Sequence, residues 1–226
     1  MYVYAFLKTP RVPLKLPRGI ENPVDLLKTD DLSALVEPNL GADNLPQTDD
    51  EELMRAVLAH DRVLRELFEQ TTVLPLRFGT CFPSEARLLE HMASERDRYS
   101  RQLEQLGGRA EYLLRGVPRD FSPQEPPTEP EPTTGRAYFL EKKRRHQRQL
   151  DGQRRQTREW EQFLDAIGYA YPNWIHAQPQ GGTERIYILI DRDRESALIE
   201  WLHQQQQNTR AWDLNLSRAL PPYHFL

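Results

Sequence analysis

A proline-rich, acidic segment at residues 122–134 limits how this chain can fold more than any other feature of its sequence. The segment holds five prolines and three glutamates: Pro123, Glu125, Pro126, Pro127, Glu129, Pro130, Glu131 and Pro132. Because proline fixes φ and lacks an N–H donor, and because like charges repel, we expect an exposed, extended loop over residues 121–135. Because the chain has 226 residues and this loop lies near its middle, we expect two domains, at residues 1–108 and 109–226.

Before the loop, the hydrophobic pattern predicts an α+β domain. Strands are expected at residues 2–8, 32–37 and 72–76, and helices at residues 48–69 and 84–106. The first helix opens on the sequence TDDE at residues 48–51, which has the form of a capping box started by Thr48. One stripe of that helix is expected to face a core, and it consists of Leu53, Val57, His60, Leu64 and Leu67.

After the loop, the pattern predicts the element order of a ferredoxin-like domain. The strands and helices are expected at residues 109–117, 136–167, 169–178, 184–191, 194–207 and 210–216. This succession of strand, helix, strand, strand, helix, strand is the split βαβ order. The tail at residues 217–226 carries Tyr223, Phe225 and Leu226 after two prolines, and we expect it to pack on the N-terminal domain.

The helix predicted directly after the loop is strongly basic. Residues 136–158 hold nine basic and two acidic side chains, a formal charge of +7, whereas the whole chain carries −4, so the remainder carries −11. Three interpretations stay open: a solvated helix face, a binding surface for an acidic partner, and a binding surface for the phosphates of nucleic acid.

Nucleic acid is the least favoured of the three, because few aromatic residues accompany the basic run and no base-stacking motif is present. If the partner is an acidic protein, the residues of this helix expected to bind it are Arg144, Arg145 and Arg148.

The sequence contains no pattern that indicates catalysis or a bound cofactor. Cys81 has no nucleophile signature around it, and a free cysteine is commonly a small buried hydrophobe. His60 lies on the apolar stripe, which favours a structural role over that of a general base. Asp191 and Asp193, with Arg192 between them, favour a solvated turn over a cation site. Since the common nucleotide and zinc motifs do not occur, we expect no enzyme, no cofactor and no metal.

Neither a membrane span nor a secretory leader is expected. No aliphatic or aromatic run, including the pentapeptide at residues 186–190, approaches the roughly 18 to 20 apolar residues that a transmembrane helix needs. The first eight residues lack the features of a signal peptide. A single cysteine fits a reducing compartment, so a cytoplasmic location is expected.

Apolar side chains dominate residues 72–80, which read TVLPLRFGT. Pro75 suits a strand edge or a bulge and Gly79 permits positive φ, so backbone conformation accounts for most of the segment. Arg77 is the exception, because a charge in an apolar run is buried only when it is paired. We expect Arg77 to contact an acidic side chain, the C-terminal tail or a neighbouring strand, with a partner protein as the alternative.

The same segment, together with the helix before it, resembles the gas vesicle protein F/L family. Members of that family carry a helix with a His-acid-Arg-Val sequence followed by TVLPLRFGT, and both occur here. The opening YVYA at residues 2–5, GRAYFL at 135–140 and PPYHF at 221–225 are similar to three further family motifs. The family usually has G-P-W before P-P-Y, where this chain has SRAL at residues 217–220, so the similarity is weaker in the tail.

This resemblance implies a non-enzymatic accessory or minor structural protein of gas vesicles. Family members are thought to bind the main gas vesicle shell protein and other gas vesicle accessory proteins, so those are the expected partners, without a membrane. The expected location is the cytoplasm, at the gas vesicle. The alternative is a nucleic-acid-binding module that uses the basic helix at residues 136–158.

Overall fold

The computed structural model describes residues 1–46, 49–119 and 135–226. The strands are β1 (Tyr2–Lys8), β2 (Asp25–Lys28), β3 (Leu32–Glu37), β4 (Leu74–Pro75), β5 (Arg109–Pro118), β6 (Trp174–Gln180), β7 (Thr183–Asp191) and β8 (Trp212–Leu216). The α-helices are α1 (Asp50–Phe68), α2 (Glu85–Ser94), α3 (Arg96–Gln105), α4 (Arg136–Ala170) and α5 (Glu195–Asn208). The expected mixed architecture of helices and sheets is confirmed. The predicted loop at residues 121–135 lies outside the described residues, except for Gly135.

The first sheet has the strand order β2-β3-β1-β4, and its paired strands are antiparallel. The central strand β1 is buried from Tyr2 to Leu7, because helices cover both faces of the sheet. On one face, the rings of Tyr2 and Tyr4 contact His60 of α1. On the other face, Val3 and Phe6 belong to a core cluster with residues of α2 and α3, namely Leu88, Met92, Tyr99 and Leu103.

The second sheet has the strand order β6-β7-β5-β8. Strands β6 and β7 form a hairpin whose turn consists of Gly181 and Gly182, with φ of +57° and +76°. Two successive positive φ angles match the right-handed twist of a hairpin and favour glycine at both positions. With β5 in front, the elements follow the chain as strand, helix, strand, strand, helix, strand.

The chain divides into two compact units. Unit 1 contains residues 1–112, 189–192 and 218–226, and unit 2 contains residues 113–188 and 193–217. The tail therefore belongs to the same unit as the first sheet.

Several predicted elements differ from the observed ones. The helix expected at residues 84–106 is two helices, α2 and α3, which are separated at Glu95. The hydroxyl of Ser94 donates to the carbonyl of His91 at 2.9 Å, and such side-chain bonds compete with helix continuation. Because of the break, both helices direct apolar residues into the same core cluster.

Three strand predictions were also inaccurate. Strand β2 was not predicted, since only two adjacent leucines mark it, and β4 has two residues where five were expected. The strand predicted from residue 169 begins at Trp174, because α4 continues through Gly168 to Ala170. At the start of α1, Thr48 lies outside the described residues, and Asp49 is the N-cap, accepting from the amides of Glu51 and Glu52.

Candidate functional site

The segment at residues 72–80 is fixed to the first sheet by backbone hydrogen bonds. The amide of Leu76 donates to the carbonyl of Tyr4 at 2.8 Å, and the amide of Val3 donates to the carbonyl of Thr80 at 3.0 Å. Further along the segment, the amide of Gly79 donates to Tyr2 Oη at 3.2 Å. Gly79 itself has φ of +87°, a conformation that favours glycine. The backbone requirement inferred from the sequence thus applies at this turn.

His60 connects α1 to both β1 and this segment. Its Nε2 lies 3.1 Å from the carbonyl oxygen of Leu76, and its Nδ1 lies 2.8 Å from Tyr2 Oη. Because a carbonyl can only accept, Nε2 carries the proton and Nδ1 accepts from the tyrosine hydroxyl. Burial lowers the pKa of His60 and raises the pKa of Tyr2. The neutral imidazole thus uses both nitrogens in structural hydrogen bonds, and neither is directed at solvent as a general base.

Within the described part of the chain, Arg77 does not make the expected contact with an acidic side chain. Its side chain is exposed, and it makes no ion pair with the residues that the structure describes. Only its backbone is engaged, since its carbonyl accepts from the amide of Thr80 at 3.1 Å and from the hydroxyl of Thr80 at 2.7 Å. The turn therefore presents the guanidinium outward, while the neighbouring Leu76 and Phe78 are partly buried.

Glu37 is a buried, hydrogen-bonded carboxylate that the sequence analysis missed. Its carboxylate is fully buried at the end of β3. The donors to it are the amides of Ile20 (2.9 Å), Glu21 (3.0 Å) and Asn22 (2.6 Å) and the hydroxyl of Tyr4 (2.5 Å). Three consecutive backbone amides directed at one carboxylate hold the irregular segment before β2 against the sheet. The only signal in the sequence was an acidic residue that ends an otherwise apolar strand.

A second buried carboxylate, Glu111 of β5, holds the tail. Its Oε2 accepts from the amide of His224 and its Oε1 accepts from Nδ1 of the same residue, both at 2.8 Å. Its backbone exchanges two hydrogen bonds with Leu220, of 3.0 and 2.8 Å. Burial raises the pKa of Glu111, although the bonds from His224 oppose that rise. The PPYHF sequence is therefore anchored by an ionisable group that water does not reach.

The other side chains of the tail also contact unit 1. Tyr223 Oη donates to Asp61 Oδ1 at 2.7 Å, and Arg65 Nε donates to the other oxygen of Asp61 at 2.6 Å. Phe225 packs against the core cluster of unit 1. Leu226, in contrast, has 54% of its surface exposed. Tyr223 and Phe225 thus lie where the sequence analysis expected them, and Leu226 does not.

The remaining candidates for chemistry have structural partners or unfavourable surroundings. Cys81 is partly buried, and this burial raises the pKa of its thiol, which opposes formation of a thiolate nucleophile. Asp191 accepts from Arg109 Nε at 3.2 Å. Arg192 donates to the carbonyl of Phe68 at 2.6 Å, with its guanidinium 3.8 Å from the centre of the Phe68 ring. Among the residues that the structure describes, no three His, Cys, Asp or Glu side chains cluster closely enough to hold a metal ion.

The basic side chains of α4 between residues 142 and 158 are all exposed. Residues 138–158, all within the described part of the chain, contain no buried side chain, and the buried ones begin at Trp160. The three expected binding residues, Arg144, Arg145 and Arg148, are all exposed. They lie on α4 of unit 2, whereas Arg77 belongs to unit 1, so the four residues do not lie on one secondary-structure element. Across the described helices, none has the length and apolar character that a bilayer span requires.

Comparisons with known proteins agree along the whole chain. The family model for the gas vesicle synthesis protein GvpL/GvpF matches residues 1–226. A curated relative, gas vesicle protein F of Streptomyces sp. (strain CB03234), is 26% identical over 243 aligned residues, which include 100% of this chain and 98% of the relative.

Two crystal structures share the fold. Gas vesicle protein GvpF from Anabaena sp. PCC7120 superposes with a TM-score of 0.74 at 15% identity, over 99% of this chain and 94% of that one. Gas vesicle protein GvpF from Microcystis aeruginosa gives a TM-score of 0.70 at 18% identity, over 99% and 97% of the two chains.

Proposed function

Since the chain belongs to the gas vesicle synthesis protein GvpL/GvpF family, we propose that it acts in gas vesicle formation as a non-enzymatic accessory or minor structural protein. The observation that carries this proposal is the match of the family model over all 226 residues. It agrees with the TVLPLRFGT, GRAYFL and PPYHF sequences from which the resemblance was first inferred.

The hydrogen bonds of the buried ionisable side chains support a role without catalysis. Glu37, His60 and Glu111 are the buried groups that would be suited to acid–base chemistry. Each of them has its hydrogen-bonding capacity directed at the chain itself, at backbone amides, a carbonyl or the tail. A side chain that must hold the fold together in this way is not available to a substrate.

The proposed partners are the main gas vesicle shell protein and other gas vesicle accessory proteins, and the proposed location is the gas vesicle in the cytoplasm. The binding residues that we propose are Arg77 on the turn after β4 and Arg144, Arg145 and Arg148 on α4. All four side chains are exposed cations, and exposed cations guide association with acidic surfaces while contributing little to folding.

The two-domain description of the sequence analysis is part of the same proposal. The order β6-β7-β5-β8, with α4 after β5 and α5 after β7, supports a ferredoxin-like assignment of residues 109–226. An exposed acidic loop at residues 121–135 would separate α4 from β5.

Coexpression with the shell protein tests the function. After washing, the wild-type protein should float or sediment with gas vesicles. The triple reversal Arg144→Glu, Arg145→Glu and Arg148→Glu should weaken this association at least about tenfold without unfolding the protein. A matched control reverses Arg87, Arg98 and Arg101, three exposed cations on α2 and α3, and should keep the association. Equal association of both variants would reject the α4 surface, and no association of the wild type would reject the function.

Nucleic acid is the alternative partner of α4, favoured only by the charge of +7 over residues 136–158. A protein that neutralises about six phosphates loses several orders of magnitude in affinity between about 50 and 200 mM salt. Tight binding to nucleic acid with that salt dependence, abolished by the same triple reversal, would favour the alternative.

A further inference from the structure

The first half of α1 presents an acidic–apolar surface on one side of the helix, formed by Asp50, Glu51, Met54, Val57 and Leu58. Met54 and Leu58 have 59% and 61% of their surface exposed, which is unusual for two large apolar side chains one helical turn apart. Residues 49–58 hold four acidic side chains and one basic side chain, a formal charge of −3. The acidic residues lie directly N-terminal to the apolar ones.

The first turns of α4 present the opposite combination, a basic–apolar surface formed by Phe139, Leu140, Lys143 and Arg144, which share one side of the helix as i, i+4 pairs. Phe139 and Leu140 have 70% and 49% of their surface exposed. Residues 138–148 hold five basic side chains and one acidic side chain, a formal charge of +4. Here the apolar residues come first along the chain and the cations follow.

These two orders make the surfaces complementary when the helices run antiparallel. The acidic group of α1 is centred between five and six residues before its apolar group, and the basic group of α4 is centred about four residues after its own. At about 1.5 Å per residue, these separations are roughly 8 Å and 6 Å. Antiparallel contact therefore places apolar against apolar and acid against base at the same time, whereas parallel contact places charges against the apolar residues.

We propose that the acidic–apolar surface of α1 in one molecule binds the basic–apolar surface of α4 in a second copy of this chain. This rests on the proposed use of α4 as a partner-binding surface and identifies the chain itself as one such acidic partner. Because the two surfaces differ, the contact is heterologous, and each bound molecule still offers one unused surface of each kind. Association therefore continues beyond a dimer unless the geometry closes a ring.

Sedimentation equilibrium of the purified full chain tests the proposal. The mass of the wild-type protein should rise with concentration beyond that of a dimer and fall as salt is added. The α1 variant Met54→Glu/Leu58→Glu and the α4 variant Phe139→Glu/Leu140→Glu should each weaken self-association about tenfold or more, since they place a charge in the apolar part of the contact. The control Val12→Glu, at a position that is 69% exposed outside both surfaces, should behave as the wild type does.

Mixing the two variants distinguishes this contact from other modes of association. One variant keeps an intact α4 surface and the other an intact α1 surface, so an equimolar mixture should form a heterodimer and nothing larger. Circular dichroism of each variant verifies that it folds. A monomeric wild type at all concentrations, or a mixture that stays monomeric, overturns the proposal, as does self-association that survives in both variants. Cosedimentation of the α1 variant with gas vesicles is scored separately, because it depends on the proposed function and not on self-association.

Discussion

Gly116 of β5 lies against the indole of Trp160 on α4, and a Cβ at position 116 would lie only 2.4 Å from Cζ3 of that ring. Both residues belong to unit 2, and Trp160 is the first buried residue of α4 after residue 137. The absence of a side chain at position 116 therefore lets the helix approach the sheet.

Gly116→Ala should lower the free energy of unfolding by about 1–3 kcal/mol, because the ring and the strand must move apart. Gly168→Ala is the matched control, since a Cβ there would lie 3.6 Å from the nearest atom of Trp174 and alanine favours the helix. That variant should be stabilised by up to about 1 kcal/mol. Urea denaturation measures both changes, and equal effects of the two substitutions would contradict the steric explanation.

The buried carboxylate of Glu37 gives a second prediction. Glu37→Ala leaves the amides of Glu21 and Asn22 and the hydroxyl of Tyr4 without their acceptor, and the amide of Ile20 keeps only Tyr4 Oη, so we expect a loss of about 3–5 kcal/mol of stability. Tyr4→Phe removes one donor to Glu37 and one of the two acceptors of the Ile20 amide, and should cost about 1–2 kcal/mol. Glu21→Gln changes an exposed carboxylate beside this site and should stay within about 0.5 kcal/mol of the wild type. If Glu37→Ala were no worse than this control, the amides of residues 20–22 would not depend on the carboxylate.

The buried imidazole of His60 gives a pH dependence with a definite sign. Its pKa in the folded protein lies below the ordinary value of 6.5, so the unfolded chain binds more protons near and below that pH. The contribution of His60 to stability is therefore complete above about pH 6.5 and is lost as the pH falls through the lowered pKa.

Urea midpoints at about pH 7.5 and about pH 5.5 test this expectation against His60→Gln. The variant should be less stable at the higher pH but should lose less stability on acidification. His203→Gln, at an exposed histidine, should keep the wild-type dependence. An equal loss on acidification in the wild type and in His60→Gln would show that another group causes it.

Removal of the tail should destabilise unit 1. Without residues 220–226, the carboxylate of Glu111 loses the donors of His224, and the core cluster loses Phe225. We expect a loss of about 2–4 kcal/mol. Removing Leu226 alone should change stability by less than about 0.5 kcal/mol, because this residue is largely exposed. Thermal unfolding of both truncated proteins measures the difference, and similar midpoints would mean that the tail contributes nothing to unit 1.

The sequence was a good guide where local pattern and packing agree. The apolar stripe of α1 predicted the burial of His60, Leu64 and Leu67 but wrongly included Val57, which is exposed, and the glycine pair at 181–182 marked the hairpin turn. It was a poor guide where the cause is tertiary. The break between α2 and α3 lets both helices contribute to a shared core, which the pattern of one continuous helix did not predict, and β2 exists because β3 offers it a pairing edge.

The candidate sites divide in the same way. The structural role of His60 followed from its position on a helix face, whereas the acceptor role of Glu37 depends on a backbone segment 15–17 residues away in sequence. Arg77 was expected to pair because its neighbours are apolar, but the turn at Gly79 directs it outward. A pattern of residue types does not reveal which side of a turn faces water.

Unit 1 is built from three separate segments of the chain, and this determines when it can be completed during protein synthesis. Its first 112 residues leave the ribosome early, yet residues 218–226, which supply the partners of Glu111 and Asp61, follow only after all of unit 2 has been made. During that interval the carboxylate of Glu111 lacks its partner His224, and the place that Phe225 fills beside the core cluster stays empty. The docking of the tail on the rest of unit 1 is therefore a late event in the life of each new chain. Until it occurs, the incomplete unit is exposed to chaperones and proteases.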